Sequence, residues 1–381
     1  MTDHPSAPLP ITVVIPAYNR AAMIERALSS VARQQATPAE IIVVDDASTD
    51  DTVAVATRLG ARVIIHEHNA GAAAARNTGI RNATQPWLAL LDSDDEWLPH
   101  HLRMLWELRA DHVLVAASAL DLPDRVVPRG ARAIVHGTHG WRPRVLRSPG
   151  ELISPQPISA SAVMVRTELA RELNGFDTTC RYGEDWDLWL RLLERGTAIV
   201  TPRVGAVVHL HTGGKHFQGD ATYDGWRTIL YSYTDRPWFS RRAARRWESV
   251  ERWDQLRDAM RDRQYRALWR HARALARPDS AFDVAQNVLR RAAARRRVTQ
   301  VARDGRPTLA RLPGAKPPTA DQLAHREIID LSAGGTSQAV LALARRPTSE
   351  ALVDSARQAR LVAALNVTPV GDYRVPGGVG S

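Results

Sequence analysis

Within the first 91 residues, four short apolar runs alternate with segments of helical character, which limits the chain to few architectures. Ile11-Thr12-Val13-Val14-Ile15 is stopped by Pro16, and Ile41-Ile42-Val43-Val44 by Asp45-Asp46. Arg62 to Ile65 leads into a helix over Gly71 to Ala83, and Trp87 to Leu91 is the fourth run. Between them, Ile24, Leu28 and Val31 mark the apolar face of one helix, and Val53, Val55 and Leu59 lie on another. Strands that are apolar throughout are buried on both faces, so the expected fold is α/β, a mostly parallel sheet flanked by helices. Such sheets bind ligands outside the carboxyl ends of their strands. The polar clusters fall there: Tyr18 and Asn19, then Asp45 and Asp46, then Asp92 and Asp94.

The last cluster, Asp92-Ser93-Asp94-Asp95, packs three carboxylates into four residues at a strand end. Like charges so close need a cation between them, and hard oxygen ligands suit Mg²⁺ or Mn²⁺, which keep positions open for substrate phosphates. The structural alternative is an acidic cap on the next helix, with Asp94 or Asp95 at the N-cap and Pro99 in the first turn. No G-x-G-x-x-G follows the first strand and there is no G-x-x-x-x-G-K-[ST], so phosphate charge has to be met by metal and by arginine.

Further along, Pro123, Pro128, Pro143 and Pro149 break the pattern between about Asp111 and Gly150. Ser161 to Val165 reads as a strand and Thr167 to Leu173 as a helix. A helix opens at Gly183-Glu184-Asp185 with Trp186, Trp189, Leu190 and Leu193 on its buried side and an i,i+4 pair of Asp187 and Arg191 on the other. Glu184 and Asp185, in the loop-to-helix turn, are either helix-start residues or a general base. Val207 to His211 alternates like a strand, which puts His209 and His211 on one face, where either could complete a carboxylate metal site.

The single cysteine, Cys180, excludes an internal disulfide framework and a cysteine zinc cluster. No apolar run approaches bilayer-spanning length and the start lacks a signal-peptide core, so a cytoplasmic location is expected. The net charge of +10 is carried almost wholly by arginine, with Lys215 and Lys316 the only lysines. From the spacing we divide the chain into residues 1–219, an α/β domain; 220–304, an Arg-rich helical extension; 305–318, a Gly/Pro linker; and 319–381, a small helical region with a frayed end. Arg290-Arg291 and Arg295-Arg296-Arg297 are either solvated faces or a contact with an anionic acceptor or the anionic inner membrane face, and the extension also offers a homodimer surface. There is no recognised nucleic-acid motif, so nucleic acid is not an expected partner.

Taken together, five stretches resemble glycosyltransferase family 2, the GT-A-fold inverting enzymes that use nucleotide-diphosphate sugars. They are Val14 to Arg20, Ile42 to Thr52, Asn69-Ala70-Gly71 with Ala75 to Ile80, Leu91 to Asp95, and Gly175-Phe176-Asp177 with Gly183 to Trp189. The resemblance implies a nucleotide-sugar site of Pro16, Ala17, Tyr18, Asn19, Asp46, Arg76, Asp92 and Ser93. In it Tyr18 lies near the base, usually uracil, Asp46 accepts from its imide N–H, Arg76 contacts base or phosphate, and Asp92 takes the ribose side. It further implies Asp94 as metal ligand for Mn²⁺ or Mg²⁺, joined by His211 with His209 in a neighbouring motif position, and Asp185 as base beside Glu184. The acceptor is left open among glycan, lipid-linked, peptide and small-molecule hydroxyls. A sugar-nucleotide pyrophosphorylase and a non-catalytic nucleotide or glycan binder are the competing readings. The first usually has a Gly-rich basic loop after strand one, and the second need not keep Glu184 and Asp185.

Overall fold

The structure is a computed structural model that describes residues 7–123, 134–136, 143–153, 158–210, 220–261 and 265–275. In chain order its elements are β1 (Leu9–Ala17), α1 (Ala21–Ala32), β2 (Pro38–Asp45), α2 (Thr52–Arg58), β3 (Arg62–Ile65), α3 (Ala72–Asn82), β4 (Trp87–Leu90), β5 (Glu96–Trp97), α4 (His101–Leu108), β6 (Leu114–Pro123), β7 (Ile134–His136), β8 (Arg144–Leu146), β9 (Val163–Arg166), α5 (Thr167–Glu172), α6 (Glu184–Leu193), β10 (Ala198–Leu210), α7 (Asp220–Ser232), α8 (Arg241–Arg261) and α9 (Tyr265–Leu275). The linker 305–318, the region 319–381, residues 276–304 of the extension and His211 lie outside the described residues.

All the described strands join one sheet, ordered β3-β2-β1-β4-β9-β6-β10-β5, with β7 on β6 and β8 on β10. The four runs read from the sequence form its parallel half, with Val13 opposite Ile41 on one side and Ala89 on the other. Beyond β4 the sheet becomes mixed, because β9 runs antiparallel to both β4 and β6. β6 is central although it lies where the sequence pattern fades. Its Ala116-Ala117-Ser118-Ala119 core has little intrinsic strand preference, and burial between β9 and β10 decides its state. The acidic stretch does not cap a helix as the alternative had it: Glu96 and Trp97 pair with β10, and α4 begins only at His101.

Alternation along β1 splits the core. Ile11, Val13 and Ile15 pack with Ile24, Leu28 and Val31 of α1, while Val14 faces the opposite side with Leu88 and Leu90. α3 lies so close to β1 there that a Cβ on Gly79 would stand 2.2 Å from Val14 Cγ1. Each of these fully buried aliphatics contributes about 1.5–3 kcal/mol. The second face continues through Phe176, Trp186 and Trp189 into α7 and α8. Trp247 of α8 lies 5.5 Å from Trp186, Tyr223 stacks on Trp247 at 5.8 Å, and the Tyr233 hydroxyl donates to Asp187 at 2.6 Å. The helical extension therefore closes over the start of α6. No described helix is long and apolar enough to cross a membrane.

Candidate functional site

At the carboxyl end of β1, the Tyr18 ring is 43% exposed, beyond a strand that stays regular through Pro16 and Ala17. Asn19, at φ +52°, accepts from the Thr49 amide at 2.8 Å while its own N–H donates to Ser48 at 2.8 Å, which ties the turn after β1 to the turn after β2. Asp46 is buried, and its carboxylate accepts from the Ala70 and Gly71 amides at 2.9 and 2.7 Å and meets His66 Nδ1 at 2.8 Å. That use holds the loop before α3. Asp45, next to it, is 1% exposed and accepts from the Ser48 amide through Oδ2, while its Oδ1 has no hydrogen-bond partner among the described residues.

After β4, Asp92 and Asp94 are half-buried and Ser93 is buried between them. Arg20 Nε stands 3.7 Å from Asp94 Oδ2, and Arg26 donates to the Asp94 carbonyl. Asp95 turns inward, accepting from the Ser161 hydroxyl and from the His209 amide. Burial, reinforced by Asp94 and Asp92, pushes its carboxyl well above the usual range. Ser161 in turn accepts from the Asp92 amide at 3.1 Å.

Arg76, on α3 and 6% exposed, joins this loop to the start of α6. It donates to Asp92 Oδ1 at 2.7 Å and to Glu184 Oε1 at 3.2 Å, and its guanidinium lies 5.3 Å from the Phe176 ring centroid. Burial works against its charge, but Asp92 and Glu184 outweigh burial and hold it protonated. Beside Glu184, the Asp185 carboxylate accepts from the Trp186 amide at 2.8 Å. Burial and then the Glu184 charge push Asp185 up to about 7, against the pull of Arg76. A carboxyl poised there exchanges protons near neutrality.

Of the residues picked from the sequence, the structure brings Asp92, Arg76, Glu184 and Asp185 together, while Arg20 links Asp94 to the turn of Tyr18 and Asn19. His209 is engaged elsewhere, its Nε2 2.9 Å from Glu96, which also faces Arg33 at 3.8 Å. Arg20, Asp45 and Ser161 were not singled out as site residues, and Asp95 reads only as one carboxylate of the acidic cluster. Arg20 and Asp45 stood inside the quoted motifs, whereas a serine before an antiparallel strand carries no sequence signal. Asp92 and Asp94 offer hard oxygen donors to a divalent ion that keeps open positions for a diphosphate. Among the described residues no three His, Cys, Asp or Glu side chains are gathered for an ion by themselves.

The Glycosyl transferase family 2 model matches residues 12–164, from β1 through β9 and including every carboxylate of the β2 and β4 ends. The chain carries a glycosyltransferase family 2 domain. Among curated relatives, the succinoglycan biosynthesis protein ExoO of Rhizobium meliloti is 34% identical over 221 residues, 53% of this chain and 61% of that protein. The pre-mycofactocin glycosyltransferase of Mycobacterium tuberculosis is 33% identical over 213 residues, 53% of this chain and 43% of that protein. The chain thus spans about two to three fifths of the length of these relatives. Its fold is similar to that of S. aureus TarS 1–349, solved in complex with UDP-GlcNAc, with TM-score 0.50 and 18% identity over 64% of this chain and 72% of that one.

Proposed function

We propose that the protein is an inverting glycosyltransferase that moves a sugar from a nucleotide diphosphate to a hydroxyl of a growing glycan. The observation that carries this is Arg76, buried between Asp92 at the strand end and Glu184 beside Asp185, which fixes a donor-side carboxylate and a near-neutral base in one crevice. Residues 1–219 supply this crevice, and the helices after residue 219 brace it. The nucleotide is read as uridine diphosphate, in line with the ligand of TarS, and the glycan acceptor follows the succinoglycan relative.

In this reading the exposed Tyr18 ring receives the base. Asp46 accepts from His66 and the Ala70 amide on Oδ1 but only from the Gly71 amide on Oδ2, so Oδ2 keeps a lone pair for a base N–H. Asp94 would hold the Mn²⁺ or Mg²⁺, with His211 a further ligand from the segment after β10; when bound, the ion supplies Lewis-acid neutralisation of the leaving diphosphate. Glu184 is engaged by Arg76, which leaves Asp185 to take the acceptor proton. As the acceptor oxygen bonds the anomeric carbon, the bond to the phosphate oxygen breaks with its electron pair, and Asp185 receives the hydroxyl proton. One displacement inverts the configuration.

Calorimetric titration of UDP, GDP and dTDP, each with and without Mn²⁺, into the wild type and Asp94→Asn tests the reading. The expected result is UDP binding that needs the ion and is lost in the variant. Failure of all three nucleotides to bind with the ion present would overturn it.

A further inference from the structure

Among the described residues, six large apolar side chains are well exposed, and three of them, Met260, Tyr265 and Trp269, lie within ten residues on the α8–α9 hairpin at 61%, 72% and 74% exposure. Other tryptophans on the fold, among them Trp87, Trp97, Trp189 and Trp247, are buried, so Trp269 is not exposed for want of a core. Tyr265, Trp269 and Arg273 follow at four-residue spacing and share one helix face, and all three are exposed, while His271 on another face is buried. α9 carries Arg266, Arg270 and Arg273 and no acidic residue.

We infer that this hairpin face is a docking surface for an anionic lipid bilayer. Tyr and Trp combine an apolar ring with a polar edge and settle at the depth of lipid headgroups. A guanidinium one turn away pairs with headgroup phosphate. Charge complementarity selects the lipid class: an acid-free helix in a chain of net charge +10 is attracted to an anionic surface and gains little from a zwitterionic one. The two rings stand on one exposed helix face, which suits a flat surface, whereas stacked bases need a groove that tracks the strand. This inference does not depend on the proposed transfer reaction.

The test is flotation of the full chain with vesicles of phosphatidylcholine alone or mixed equally with phosphatidylglycerol, for the wild type, Tyr265→Ser/Trp269→Ser and Arg273→Glu, alongside thermal melts without lipid. The expected result is binding to the anionic vesicles about tenfold above the zwitterionic ones, weakened by salt, and reduced about tenfold in the double variant and several-fold in Arg273→Glu, with unchanged melting. Equal partition into both vesicles, no binding, or wild-type binding by the double variant would overturn it. A lowered melting temperature of the double variant without lipid would also overturn it, because the rings would then be packing against this chain's own residues. So would displacement of bound vesicles by a single-stranded oligonucleotide that the double variant fails to bind.

Discussion

Arg76 Nη1 donates to Glu184 Oε1 at 3.2 Å across 108 positions of sequence, so the helix after β3 and the helix before β10 meet through one buried ion pair. The same guanidinium holds Asp92. A cation shared by two carboxylates leaves Asp185 the group free to change protonation, and its folded value of about 7 follows from burial and Glu184 acting against Arg76.

The first prediction concerns rate. Asp185 is neutral below about 7 and ionised above it, so kcat/KM rises with pH through that value. Arg76→Met removes the group that favours the ionised form and moves the acid limb to higher pH, together with a loss of about 100-fold or more in kcat/KM at neutrality. A pH–rate profile of the two proteins checks this; an unmoved limb in Arg76→Met would exclude Asp185 as the titrating base.

The second prediction concerns stability and has the opposite sense. The folded value of about 7 lies above that of an unfolded aspartate, so the contribution of Asp185 to the fold is greatest at acid pH and is lost as pH rises through 7. Asp185→Asn abolishes transfer yet melts about 2–4 °C above the wild type near pH 8, the shift that roughly 1 kcal/mol produces in a domain of this size, with little difference near pH 4. Melting curves at the two pH values decide it.

These residues also show how far the sequence is legible. Strands β1 and β2 announce themselves because their β-branched runs are buried on both faces, and β4 does so as a wholly apolar buried run, while the edge strand β3 is half-exposed; the carboxylates after β2 and β4 follow from where those strands stop. Arg76 and Glu184 are each visible, but their pairing depends on α3 and α6 converging, which no local pattern encodes. His209 reads as a candidate ligand because alternation places its side chain on a face; its partner Glu96 lies in the two-residue strand β5, too short to leave a periodic trace. β6 is hidden for another reason, since alanine and serine take the conformation their neighbours impose.

Backbone conformation supplies the third prediction. Gly183 has φ +79°, and a Cβ there would stand 2.4 Å from Trp226 Cδ1, whereas Gly71 has φ +92° with nothing within 4 Å. Gly71→Ala costs only backbone strain, about 1–3 kcal/mol, since φ +92° with ψ 162° is a region that glycine almost alone occupies. Gly183→Ala adds displacement of the indole against the turn that carries Asp185, for a total of about 2–4 kcal/mol. In a Trp226→Ser background the cost of Gly183→Ala falls but does not vanish, because Ile229 Cδ1 still stands 2.9 Å from the added Cβ. Urea unfolding of the four variants and the wild type measures the cycle, and an equal cost in both backgrounds would show that the ring yields freely.

The last prediction separates holding the fold from holding the site. Ser161 and Ser118 are both fully buried, and each hydroxyl donates to a partner distant in sequence: Ser161 to Asp95, and Ser118 to the Thr201 carbonyl at 3.1 Å. Replacing either by alanine leaves a buried acceptor without its donor, at about 1–3 kcal/mol. Only Ser161 also accepts from the Asp92 amide, so only Ser161→Ala frees the loop that carries Asp92 and Asp94. The expected outcome is comparable destabilisation in urea for the two variants, with metal-dependent nucleotide affinity about tenfold weaker in Ser161→Ala and unchanged in Ser118→Ala. Matching affinities in calorimetry would mean that Asp92 keeps its place through Arg76 alone, and Arg76→Lys, which shortens the reach to Glu184, would then be the substitution that loosens the loop.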